Sequence, residues 1–283
     1  MFRDSTATFS AMKNEPAETS PPSDSPTYGS YLHLDQLLSL QKPLSAAHDE
    51  MLFVIIHQAS ELWMKLCLFE LQAARTAIAA NELAPALKMM TRVSRIQANL
   101  IQSWEVLATM TPADYTPMRG GFGSGSGFQS CQYRQLEFML GNKNRAMIAV
   151  QREPSAQSIL RQALLEPSLY DEAIRLLARR GFNIPATCLD RAFSEPYRAS
   201  AEVETAWKEI YEKSSTHWDL YELAEKLVDL EYRFQLWRFH HLKTVERVIG
   251  FKGGTGGTPG VPYLARVIEQ VFFPELLTVR LAL

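Results

Sequence analysis

Two histidines occupy helical stretches where an imidazole could bind a metal or a substrate, and the first is His241. In the stretch 214–250, apolar residues recur every three or four positions, the period of one helix face. His241 falls on this face, whereas His240 is rotated about 100° from it, so His241 should point into the core and His240 toward water. A metal is one partner for a buried ring nitrogen, although a backbone carbonyl is the more common one. The other residues of the face are Leu227, Leu230, Phe234, Trp237, Val245 and Val248.

The second histidine, His57, follows Phe53 by four residues, so the two rings share one helix face. The surrounding stretch, 48–80, has no Gly or Pro, and its apolar residues cover more than half of a helix circumference. Such a helix should lie deep in a bundle, where an aromatic ring beside an imidazole can line a pocket. A histidine whose hydrogen bonds are satisfied inside the core is the alternative.

Two glycine-rich loops carry the polar residues that could bind a small molecule. The first contains Tyr115 and Arg119 beside five glycines, and a guanidinium can bind a carboxylate or phosphate. Its glycines match neither GxGxxG nor GxxxxGK[ST], so a nucleotide site is not expected. The second, GFKGGTGGTPG, contains Thr255 and could close over a ligand as a lid, with a plain linker as the alternative.

The elements that must position these residues are predicted to be helices throughout. Further helices are expected over about 85–110, over CQYRQLEFML and over VPYLARVIEQVFF, and a small helical excursion over about 145–213 contains Ser168 as an N-cap with Asp171 in the capping-box position. We find no strand pair and no internal repeat, so the fold class is all-α. Residues 27–283 should form one domain after a disordered Ser- and Pro-rich tail over 1–26.

Composition excludes several classes of function. The 283 residues carry a net charge of -2 and 46% hydrophobic residues, and there is no basic excess to attract nucleic acid. The three cysteines, Cys67, Cys131 and Cys188, form no CxxC pair or disulfide framework, which is typical of a reducing cytosol. No signal peptide and no uninterrupted apolar run of membrane-spanning length occur. We therefore expect a cytoplasmic protein without a membrane partner.

The spacing of the histidines excludes several common metal sites and catalytic sites. None of the six histidines follows a Glu by three residues, and neither HExxH nor GxSxG occurs. A single axial histidine in an aromatic, helical cavity suits haem, because the porphyrin supplies the other four nitrogens.

Five runs of sequence closely resemble the tryptophan 2,3-dioxygenase family in order and spacing, from about residue 27 to residue 283. They are TYGSYLHLDQLL, HDEMLFVIIHQASELWMKL, SGFQSCQYRQLEFMLGNKN, LVDLEYRFQLWRFHHLKTVERVIGFKGGTGGT and FFPEL. The resemblance implies an all-α haem-containing bundle, assembled as a homotetramer, with haem b ferrous in the active form. It further implies that both atoms of O2 are added across the indole C2–C3 bond of L-tryptophan, giving N-formylkynurenine in the first step of the kynurenine route.

The resemblance also implies a role for individual residues. His241 corresponds to the axial haem ligand, Trp104 to a tryptophan beside the haem, and His57 to the histidine near the indole N–H. The substrate would be contacted by Phe53, Tyr115, Arg119, Ser126 and Thr255. A neighbouring subunit would insert Tyr28, Tyr31 and Leu32 into the same active site.

Two other classes of function remain open at this point. Some proteins of the superfamily are monooxygenases that act on modified aromatic amino acids. A non-catalytic haem-binding or sensory bundle is the third possibility, but such a protein has no use for the amino-acid clamp formed by Arg119 and Thr255.

Overall fold

The computed structural model describes residues 25–283, and over this range it contains helices and loops but no strand. The all-α prediction is therefore confirmed for the described residues. Contacts divide them into two units, 25–41 and 42–283. The single domain over 27–283 stays a prediction, and the predicted tail, 1–26, lies outside the described residues except for its last two.

The first unit contains two short helices, whereas the apolar spacing of TYGSYLHLDQLL predicts one. His33 has φ 52° and separates α1 (Tyr28–Leu32) from α2 (Leu34–Leu37). A non-glycine residue in the left-handed region cannot continue a right-handed helix, so the apolar pattern alone missed the break. Tyr28 and Tyr31 are 78% and 73% exposed on this unit.

The second unit is built around three long helices. Its α-helices are α3 (Glu50–Ala79), α4 (Leu83–Leu107), α5 (Pro112–Arg119), α6 (Cys131–Leu140), α7 (Ala146–Ala149), α8 (Pro154–Leu165), α9 (Leu169–Arg179), α10 (Ala186–Leu189), α11 (Ala201–Glu212), α12 (Trp218–Val248), α13 (Val261–Ile268) and α14 (Pro274–Thr278). Helix α4 packs against both α3 and α12, and α6 and α9 pack against α3. Aliphatic and aromatic side chains from these helices form the main core.

Local chemistry explains where several helices begin and end. Ser168 and Asp171 form the predicted capping box of α9, with hydrogen bonds of 3.1 and 2.7 Å between side chain and backbone. Helix α13 was expected to continue to residue 273 but ends at Ile268. The backbone N–H groups of Phe272 and Phe273 donate instead to the buried carboxylate of Glu231, at 2.8 and 3.0 Å. These two hydrogen bonds replace the backbone hydrogen bonds that a longer helix would form. The sequence pattern did not indicate them.

One described helix, α3, is long and apolar enough by length and composition to cross a membrane. The core helices of many soluble proteins pass the same test. Charged residues recur along α3 at Glu61, Lys65, Glu70 and Arg75, and the helix packs against α4, α6 and α9. These features are those of a bundle helix.

Lys143 is a buried lysine that should make stability depend on pH. It donates to the carbonyl oxygens of Ala163 and Glu166 at 2.9 and 2.7 Å, at the C-terminal end of α8. Burial lowers the pKa of Lys143 from 10.5 to about 8. Between these values the unfolded chain binds more protons than the native chain, so stability rises with pH across the window and is lower below it.

Because of Lys143, we expect the free energy of unfolding to rise by about 3 kcal/mol between pH 8 and pH 10.5. Urea unfolding of the native chain and of Lys143→Met at several pH values isolates the effect, because the variant lacks the titrating amine. Parallel pH profiles for the two proteins would show that Lys143 is not responsible.

Candidate functional site

A cavity of about 580 Å³ opens between the long helices and the two glycine-rich loops. This volume is in the range of pockets that hold cofactors and small ligands. Most of its wall is apolar, with polar groups concentrated near the loops. The cavity brings together Phe53, His57, Trp104, Tyr115, Arg119, Ser126, Thr255 and His241, which are the candidate residues of the second unit.

His241 presents a neutral imidazole to this cavity. Its ring stacks on Trp104, with the centroids 4.5 Å apart and the planes at 14°, and lies 5.7 Å from Trp237. Burial lowers the pKa of His241 to about 4, so the ring is uncharged at neutral pH. Among residues 25–283, no protein group forms a hydrogen bond to either ring nitrogen. The common alternative, a core histidine bonded to a carbonyl, is therefore not what the structure contains.

The adjacent histidine, His240, is not among the residues that line the cavity. Its ring meets the partly exposed Phe239 edge to face, with the centroids 6.2 Å apart. The two neighbouring histidines thus differ in direction as the helical period predicted.

The tautomer of His57 is determined by its hydrogen bond. Its Nδ1 lies 2.7 Å from the carbonyl oxygen of Phe53, one turn earlier on α3. Because a carbonyl only accepts, Nδ1 must carry the proton, and Nε2 keeps a lone pair. Burial lowers the pKa of His57, which keeps the ring neutral. The imidazole therefore offers an acceptor to a donor in the cavity.

The two glycine-rich loops are joined by reciprocal hydrogen bonds. Arg119 donates from Nη2 to the carbonyl oxygen of Gly253 at 2.7 Å, and Thr255 donates from Oγ1 to that of Gly125 at 2.6 Å. A Cβ atom on Gly256 would lie 2.8 Å from Cβ of Ser126, so any side chain there would push the loops apart. The loop bearing Thr255 thus packs against the first loop and lines the cavity with it.

Aromatic rings form the wall on the His57 side. Phe53 lies between the ring of His57, at 4.0 Å between centroids, and that of Phe122, at 4.7 Å. Tyr115 lies 6.2 Å from Phe122, and burial raises the pKa of its phenol. Flat apolar surfaces of this kind suit a planar aromatic ligand.

A buried charge cluster beside the cavity was missed in the sequence. Glu137 pairs with Arg134 at 2.5 Å and with Arg238 at 3.1 Å, and the three side chains are almost completely buried. Both arginines line the cavity, and the cluster carries one net positive charge. The i,i+3 spacing of Arg134 and Glu137 was a usable signal, but only tertiary packing brings Arg238 to them.

Glu61 is a second residue that sequence reasoning missed. It follows His57 by one helical turn, lines the cavity, and accepts a hydrogen bond of 2.7 Å from Gln132. Its negative charge partly opposes the effect of burial on the pKa of His57. The signal was its place on the same helix face as His57.

The residues of the cavity fit a haem. Within the described part of the chain, no group of three or more His, Cys, Asp or Glu residues could hold a bare metal ion. His241 supplies one neutral nitrogen without a protein partner, which matches a cofactor that brings its own four nitrogens. The buried Nε1 of Trp104 also lacks a hydrogen-bond partner and would be satisfied by an acceptor within the cavity.

Three residues expected at the site belong to the other unit. Tyr28, Tyr31 and Leu32 lie in residues 25–41 and are exposed there. Their predicted insertion into a neighbouring active site stays a prediction.

Comparison with known proteins shows the family to which this chain belongs. A family model described as tryptophan 2,3-dioxygenase matches residues 14–158 and 208–283. The chain is 62% identical over 258 residues to a tryptophan 2,3-dioxygenase of Erythrobacter litoralis (strain HTCC2594), covering 91% of this chain and 98% of that relative. It is 57% identical over 255 residues to one from Cupriavidus necator, with coverages of 90% and 87%. This chain belongs to the tryptophan 2,3-dioxygenase family.

Proposed function

We propose that this chain carries out its family's reaction in the cavity described above, with haem b bound by His241 and ferrous in the active form. Enzymes of this family oxidise tryptophan to N-formylkynurenine, with tryptophan and O2 as substrates. The observation that carries the proposal is the neutral, unpartnered imidazole of His241 in the wall of a cavity that also contains His57, Arg119 and Thr255. When bound, the haem supplies the iron at which O2 is activated.

The amino-acid end of tryptophan would bind at the junction of the loops. The guanidinium of Arg119 already donates to the carbonyl oxygen of Gly253 and has further N–H groups for a carboxylate. The Thr255 hydroxyl, which donates to the carbonyl oxygen of Gly125, can accept from the substrate ammonium. Substrate would thereby add bonds to both loops and stabilise the closed lid.

The indole ring would lie against the aromatic wall. Phe53 and Phe122 exclude water from the ring, and the Nε2 lone pair of His57 can accept a hydrogen bond from the indole N–H. Indole is a very weak acid, so we assign His57 to positioning and hydrogen bonding and not to obligatory proton abstraction. The residues of the chain thus orient the indole C2–C3 bond for addition of oxygen.

Mass spectrometry of the product under isotopically labelled O2 tests this function. The reduced, haem-loaded protein is mixed with L-tryptophan, and we expect N-formylkynurenine that contains two labelled oxygen atoms. One labelled oxygen would identify a monooxygenase. A haem-loaded protein that forms no product would contradict an enzymatic function.

Replacement of His57 by alanine should leave haem binding unchanged and reduce turnover about tenfold, the effect of one lost hydrogen bond. Haem content by absorbance and turnover by product formation measure the two quantities separately. His57→Gln keeps an acceptor atom and should retain more turnover than His57→Ala. Loss of haem in His57→Ala would instead place His57 among the cofactor ligands.

We also propose a cytoplasmic homotetramer in which Tyr28, Tyr31 and Leu32 contact a neighbouring active site. Exposed apolar side chains support association. On α3, Ile55, Leu62 and Phe69 are exposed at intervals of seven residues, so they form one stripe on the helix. Light scattering should give four chains per particle, and a monomer at all concentrations would contradict the assembly.

A further inference from the structure

A second, smaller cavity lies in the core beside the first. Its volume is about 20 Å³, and it is enclosed by side chains from α3, α4, α6 and α12. Leu100 and Phe234, both buried, form part of its wall. A cavity of this size has room for one small molecule.

The wall of this cavity is poorly suited to water. Among the residues that line it, only Gln97, Tyr133 and Trp237 carry hydrogen-bonding side-chain oxygen or nitrogen atoms, and almost all of the cavity surface belongs to apolar atoms. The Tyr133 hydroxyl already accepts from Nε of Arg238, and Nε2 of Gln97 donates to the carbonyl oxygen of Leu230 at 3.5 Å. Oε1 of Gln97 is buried without a partner, but polar atoms contribute almost nothing to the cavity surface. A buried water makes about three hydrogen bonds, which an almost wholly apolar wall does not supply, whereas an apolar molecule needs none.

The small cavity shares part of its wall with the large one. Met64, Tyr133 and Trp237 line both cavities. Trp237 is also the ring that lies 5.7 Å from the ring of His241. Methionine has three flexible side-chain torsions, so a rotation of Met64 can open a passage for a diatomic molecule without moving a helix.

We propose that this cavity is a docking site for O2, which passes between it and the large cavity at Met64. O2 is small and apolar, so it matches both the size and the wall of the cavity. This inference rests on the proposed function in that O2 is a substrate of the enzyme. Docked O2 adjacent to the reaction cavity would raise its local concentration while tryptophan covers the entrance.

Xenon binding tests the site directly, because xenon binds apolar cavities and its binding does not depend on enzyme turnover. Crystals of the haem-loaded protein are pressurised with xenon, and a xenon atom is expected between Leu100 and Phe234. An ordered water bonded to Oε1 of Gln97, or the absence of xenon, would overturn the proposal.

Steady-state kinetics test the role in the reaction. Leu100→Phe fills the small cavity and should raise KM for O2 at least about threefold while KM for tryptophan stays unchanged. Val93→Ile is the milder filling variant if Leu100→Phe folds poorly. Leu227→Phe is the matched control, because Leu227 is completely buried in the same core but lines neither cavity.

The outcomes separate this inference from the proposed function. An unchanged KM for O2 in Leu100→Phe, or an equal rise in Leu227→Phe, would overturn the docking site while leaving the dioxygenase intact. An inactive wild-type holoenzyme would overturn the proposed function and, with it, a role for O2. Xenon in the cavity together with a selective rise in KM for O2 would support the proposal.

Discussion

His241→Ala is expected to abolish stable haem binding, whereas His240→Ala should bind haem like the native chain. His241 is the neutral imidazole in the cavity wall, and among residues 25–283 no protein group occupies its nitrogens. Removal of a residue that only supports a metal ligand costs roughly 10–100-fold in metal affinity, so loss of the axial ligand itself should cost more than about 100-fold.

Absorbance of the bound haem after gel filtration measures this effect. Added imidazole provides a rescue, because the truncation leaves space beside Trp104 where a free imidazole can bind. Retained haem in His241→Ala together with lost haem in His240→Ala would reverse the assignment of the two histidines.

Arg119→Ala is expected to raise KM for tryptophan about 100-fold while haem content stays unchanged. Truncation of one partner of a charged, hydrogen-bonded pair costs roughly 2–5 kcal/mol, and Arg119 would lose both the substrate carboxylate and its bond to Gly253. Arg119→Lys keeps the charge but not the forked geometry, so it should fall between the native chain and Arg119→Ala.

Tryptamine lacks the carboxylate. In a double-mutant cycle it therefore separates loss of the bond between Arg119 and the carboxylate from loss of the bond between Arg119 and Gly253. If Arg119 binds the carboxylate, Arg119→Ala should lose much less affinity for tryptamine than for tryptophan. Arg247→Ala is a matched control, because Arg247 also donates to a backbone carbonyl, that of Ala108, but does not line the cavity. An equal loss of affinity for tryptophan and tryptamine would mean that Arg119 acts only through the loop.

The largest errors of the sequence-based prediction arose where a side chain forms hydrogen bonds with backbone groups far away in the sequence. Glu231 lies 41 and 42 positions before Phe272 and Phe273, whose N–H groups it binds, so no local pattern indicated the early end of α13. At Ser168, by contrast, donor and acceptor are three residues apart, and the capping box was predicted correctly. Short-range hydrogen bonds can be inferred from spacing, and long-range ones cannot.

The sequence by itself determined the helical fold class, the three long helices and the direction of His241 relative to His240, but not the exposure of Ile55, Leu62 and Phe69 on α3. These properties follow from the 3.6-residue period, which acts within a single helix. The pairing of Arg119 with Gly253 joins positions 134 residues apart, and the pairing of Arg134, Glu137 and Arg238 joins two helices. Only the tertiary structure decided these contacts and the two cavities, because they depend on how helices and loops pack against one another.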